Sequence, residues 1–96
     1  MDAPKPAEAH ASLEIRNSKG LHARAAALLV QTVGSFEAEV TVAKDGQVVN
    51  GRSIMGVMML AAEQGSRIEV TAAGRQACAA LEAIRALVEA RFNEDE

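Results

Sequence analysis

Apolar and polar side chains alternate along this chain with a period that changes at its glycines. Ala11, Leu13 and Ile15 alternate with Ser12, Glu14 and Arg16, the two-residue period of a strand with one buried face. From Ala23 the period lengthens. Ala26, Leu29, Val30 and Val33 form an i, i+3, i+4, i+7 stripe, which predicts a helix closing at Gly34, where a helix C-terminal glycine belongs. Alternation returns at Phe36, Ala38, Val40 and Val42, opposite Glu37, Glu39 and Thr41. Asp45-Gly46 is a hairpin signal and leads into a short strand, Gln47 to Asn50. A second helix is expected to begin near Ser53 and stop before Gly65. Ile68 and Val70 alternate with Arg67, Glu69 and Thr71 as a fourth strand. After Gly74, the longest helix carries Ala77, Leu81, Ile84, Val88 and Phe92 along one stripe, with Arg85 and Glu89 in reach of a weak surface pair.

The resulting order, β-α-β-β-α-β-α, predicts an α+β fold: one antiparallel sheet of four strands, covered by helices on one face. The polar sides of the strands are then free to meet water. A chain of 96 residues is expected to make one domain, residues 10–96, with little room for a deep cleft. The prolines and mixed charges before it read as a flexible tail, residues 1–9. That stretch lacks a signal peptide's apolar centre, and no apolar run is long enough to span a bilayer. A cytoplasmic protein without membrane insertion is the expectation. A net charge of −3, with no Trp or Tyr and two Phe, argues against binding nucleic acid. Cys78 stands alone, which excludes an intrachain disulfide and a cysteine-rich zinc site; among alanines it reads as a small buried hydrophobe. His10 has no partner at metal-ligand spacing, so no metal is expected.

His22 falls between the Gly20 turn and the first helix. The first N–H groups of a helix lack intrahelical partners and attract anions. The same potential disfavours the imidazolium form, leaving a neutral ring with a nucleophilic lone pair. Arg24, a cation in the first turn, opposes the helix dipole unless an anion arrives, and its planar fork suits phosphate. His22 and Arg24 thus make a nucleophile and phosphate clamp. A histidine at a helix start also serves as a surface or capping residue, and residue types leave both readings open. Ser53 is an N-cap by preference, without a capping box since Gly56 stands three residues on; the functional alternative is a phosphorylation site. The helix after it is apolar almost all round. Either it is thoroughly buried, or Ile54, Met55, Met58 and Met59 expose a partner surface.

Gly20-Leu21-His22-Ala23-Arg24-Ala25-Ala26 resembles the active-site motif of the histidine-containing phosphocarrier (HPr) family of the bacterial phosphoenolpyruvate-dependent phosphotransferase system. Asn50-Gly51-Arg52-Ser53-Ile54-Met55-Gly56-Val57-Met58 resembles the family's second signature, around a regulatory serine, and the interval between the two motifs matches as well. The resemblance implies an open-faced β-sandwich. It implies a phosphoryl carrier rather than a freestanding enzyme, with His22 accepting phosphate at Nδ1 from phosphorylated enzyme I and passing it to an enzyme IIA histidine. Arg24 would steady the phosphate, and no cofactor would be needed. Ser53 would be modified by an HPr kinase/phosphorylase where the organism has one. Ala23, Ile54, Met55 and Met58 would form the docking face of a monomer. Ala25 replaces the proline of many members. Gln31 and Gly34 stand where several sugar-system members carry lysines, so the sugar and nitrogen-related branches both stay open. The reading from another class is a small α+β ligand-binding regulatory module, which would not need His22.

Overall fold

In the strands, the alternation read from the sequence becomes one apolar and one polar face. A computed structural model describes residues 8–94. Its elements are β1 (Glu8–Glu14), α1 (Ala23–Gly34), β2 (Glu39–Lys44), β3 (Gln47–Asn50), α2 (Ile54–Met59), β4 (Arg67–Ala73) and α3 (Ala77–Glu89), followed by a short turn of 3-10 type, Arg91–Asn93. The strands form one antiparallel sheet in the order β1-β4-β2-β3. Register pairs apolar with apolar: Leu13 lies opposite Ile68, and Val70 between Ala11 and Val42. All five are buried. The intervening positions set Ser12 opposite Glu69 and Glu14 opposite Arg67, and these four are exposed. The fold is an open-faced β-sandwich of the α+β class, with α3 packed on β1 and β4, and α1 packed on α2 and α3.

The β2–β3 hairpin turns at Asp45 and Gly46, both at positive φ (52° and 84°), which is the pairing that a tight hairpin of right-handed twist requires. The core under the sheet is aliphatic. Leu29 and Val33 from α1, Val57 from α2 and Ile84 and Val88 from α3 meet Val42, Ile68 and Val70. Phe92 is the largest side chain in it and is fully buried.

Several sequence expectations are corrected. Residues 1–7 of the expected tail lie outside the described residues, but Glu8 and Ala9 belong to β1, where they pair with Ala73 and Ala72. Alanines at the start of that strand carry too weak a pattern to show its reach. Gly34 is the last residue of α1 and does not turn left-handed; Ser35 closes the helix in a right-handed conformation. α2 is much shorter than the interval to Gly65 allows, because Ala61 takes φ 51° directly after the cap at Leu60. Phe92 leaves the α3 stripe and is buried from the turn beyond it. Arg85 pairs with Glu82, Nε to Oε1 at 3.6 Å, rather than with Glu89. Cys78 is exposed, not buried. The buried stripe of α3 runs through Ala77, Ala80, Leu81, Ile84 and Val88, and Cys78 sits about 100° around the helix from Ala77.

Candidate functional site

The segment between β1 and α1 is fastened to the loop before β4. Ile15 N donates to Ser66 O and Gly65 N to Ile15 O, each at 2.8 Å, and Leu21 N donates to Ala62 O at 2.9 Å. Gly20 makes that approach feasible. Its φ is +64°, and a Cβ there would stand 2.3 Å from Ala62 O. Asn17 is fully buried and donates from Nδ2 to Gly20 O at 2.8 Å. These bonds fix where the chain enters α1.

His22 occupies the N-cap, with φ −71° and ψ 178°. Its carbonyl accepts the first helical bond, from Ala26 N at 2.8 Å, while its ring caps nothing. The N–H groups of Ala23, Arg24 and Ala25 therefore have no partner within the helix. The first turn carries no acidic side chain. Arg24 is exposed, and its guanidinium forms no hydrogen bond or ion pair among the described residues. The amino end of α1 thus presents free donors and an unpaired cation, next to an imidazole. Such an arrangement suits an oxyanion with three acceptor oxygens.

A carboxylate reaches this ring from the opposite end of the chain. After α3, Arg91, Phe92 and Asn93 take φ values of 56°, 54° and 61°, a left-handed turn that L-residues adopt at a cost. Burial of Phe92 holds the turn in place. It delivers Glu94, whose Oε2 lies 2.5 Å from His22 Nε2 and whose Oε1 accepts from Asn17 Nδ2 at 3.1 Å. An ionised carboxylate has no proton to give, so Nε2 is the donor. This hydrogen bond lowers the Glu94 pKa from its ordinary value; burial opposes the shift, and the Asn17 contact adds to it.

Ser53 is the N-cap of α2 and accepts from Gly56 N at 3.0 Å, so the capping expected of it is present. The structure leaves Ser53 half-buried. α2 buries Val57 and exposes Ile54, Met55, Met58 and Met59, of which Met55 is 69% and Met59 66% exposed. The exposed surface, not the thoroughly buried helix, is what the apolar pattern describes. Val48, on the edge strand β3, is exposed as well. Ala23 is exposed at the start of α1. His10 is apart from all of these, on β1, with Nε2 3.1 Å from Glu69 Oε1 on the polar sheet face. No cluster of side chains suited to a metal occurs among the described residues, and no helix among them is long and apolar enough to cross a membrane.

Sequence reasoning brought His22 and Arg24 together but missed Asn17 and Glu94. Glu94 stands in a run of acidic residues, which reads as a solvated end. The contact joins positions 72 residues apart, and no local period reports it.

A family model described as the PTS HPr component phosphorylation site matches residues 9–90. The phosphocarrier protein HPr of Xylella fastidiosa (strain Temecula1) is 49% identical over 83 residues, 86% of this chain and 93% of the relative. HPr-C-His of Thermoanaerobacter tengcongensis superposes with a TM-score of 0.88 at 41% identity, covering 92% of this chain and 99% of that one. An HPr dimer from the same organism superposes with a TM-score of 0.73 at 44% identity, covering 85% and 94%.

Proposed function

Because the chain belongs to the HPr family, the phosphocarriers of the phosphotransferase system, we propose that His22 accepts a phosphoryl group at Nδ1 from phosphorylated enzyme I and transfers it to a histidine of an enzyme IIA protein or domain. The observation that carries this reading is the His22 ring at the open amino end of α1, with Arg24 unpaired in the first turn. Phosphoryl transfer proceeds through a loose transition state whose charge is spread over the equatorial oxygens, so positioning and charge stabilisation are what a carrier must supply. The free N–H groups and Arg24 hold those oxygens while donor and acceptor histidines approach along one line. No metal or organic cofactor is asked of the carrier itself, and the cytoplasm is the compartment this role assigns.

Ala23, Ile54, Met55 and Met58 form the docking face in this reading, and the exposure of Met59 extends it. Methionine side chains adapt to more than one partner, which suits a protein that must meet a donor and several acceptors. A monomer leaves that face open for short encounters. Ser53, at the head of the same helix, is the regulatory site where an HPr kinase/phosphorylase is present. A phosphate there adds nearly two negative charges beside the docking face and weakens approach to an acidic partner.

Intact mass spectrometry tests the relay. With phosphoenolpyruvate and enzyme I, the wild-type chain gains one acid-labile phosphate and His22→Ala gains none. A wild-type chain left unmodified by a competent enzyme I ends the proposal. With HPr kinase and ATP, an acid-stable phosphate is expected on the wild type and absent from Ser53→Ala; its absence from both removes the regulatory claim alone.

A further inference from the structure

We propose that Glu94 is a positioning residue for the relay, holding the Nε2 proton of His22 so that the Nδ1 lone pair faces the incoming phosphoryl group. The inference rests on the reading of His22 as the phosphoryl acceptor. A neutral imidazole has one N–H and one lone pair, on different nitrogens. The Glu94 contact at Nε2 requires the hydrogen there, and the lone pair is left on Nδ1.

The contact is built rather than incidental. The side chains of His22 and Glu94 are 29% and 13% exposed, so water screens the pair far less than an ordinary surface pair. Asn17, fully buried, ties the second carboxylate oxygen to the same loop that Gly20 anchors. Three successive left-handed residues are tolerated in order to bring Glu94 round, with Phe92 seated in the core as the fastening. Strain of this kind collects where a side chain must be aimed.

During transfer, the Nδ1 lone pair forms the new P–N bond. The donor's P–N bond breaks, and its nitrogen keeps the electron pair. No proton leaves His22, so the phosphorylated ring retains Nε2–H and gains positive charge. The Glu94 carboxylate meets that charge at Nε2, while Arg24 and the helix N–H groups meet the phosphate oxygens. Onward transfer reverses each change.

The test uses the full chain and its Glu94→Ala and Glu94→Gln variants. Nitrogen chemical shifts report the His22 tautomer at pH about 8, above the ordinary imidazole pKa of about 6.5; His10→Gln removes the other histidine signal. The expected wild-type ring carries its proton on Nε2, Glu94→Ala loses that preference, and Glu94→Gln restores it because the amide oxygen still accepts. Initial rates of phosphorylation by enzyme I should fall ~10-fold in Glu94→Ala, the lower end of what losing an orienting partner costs a ligating histidine. Glu94→Gln should fall between, having the tautomer without the charge. A clasp that only held the fold would change stability in both variants and leave the tautomer as it was. If Glu94→Ala keeps the wild-type tautomer, or accepts phosphate within twofold of the wild-type rate, Glu94 has no positioning role and the relay stands. If the wild type accepts no phosphate at all, the relay itself has failed.

Discussion

At the scale of single residues, the site depends on positions that carry no chemistry of their own. Gly20 is the clearest. Its left-handed φ and the approach to Ala62 O leave no room for a side chain, and the Leu21–Ala62 hydrogen bond depends on that approach. Gly20→Ala should therefore lose at least about 2 kcal/mol, combining backbone strain with a weakened buried bond. Urea denaturation of the two proteins measures it, and a loss under about 0.5 kcal/mol would mean the loop shifts without cost. The His22–Arg24 pair was legible in the sequence as a helix start with a cation where the dipole does not want one. That local physics left two readings of the histidine open, and the two family motifs chose between them. Asn17 was not legible. Its value lies in total burial and in two acceptors, Gly20 O and Glu94 Oε1, of which only the first is near in sequence.

Among the elements, the strands and helices follow their patterns at their centres and depart at their ends; β2 begins only at Glu39, past the Phe36 and Ala38 of its expected alternation. β1 begins earlier than expected because alanine and histidine give little contrast between its faces. α2 ends earlier because Ala61, a residue with no breaker character, adopts positive φ. Phe92 was placed correctly in the core but on the wrong element. Its spacing of four from Val88 fits a continued helix, and only the fold shows the left-handed turn that buries it instead. Phe92 is the one buried side chain of that turn. Phe92→Ala should cost about 3 kcal/mol, the lower part of the usual range for such a deletion, since the turn can relax as the strain is released. Thermal or urea unfolding reads the loss. A cost below about 1 kcal/mol would show that something other than Phe92 secures the turn.

For the whole molecule, the sheet and its helices serve to bring three remote stretches of chain against one imidazole. Residues 17–24 supply the ring and the open helix end, Ala62 anchors the loop, and Glu94 meets Nε2. The motif Gly20 to Ala26 marks the proposed site but does not by itself build it. A short peptide spanning that motif has every letter of it, yet lacks Ala62, Glu94 and the preset start of α1. It should accept no measurable phosphate from enzyme I under conditions that load the intact chain fully, and stoichiometric loading of the peptide would show that the motif suffices. In the proposed relay, the signal by which the donor enzyme identifies its substrate is then a shape rather than a word. Antibodies or inhibitors raised against the motif as a linear peptide would then address a conformation that the donor does not meet.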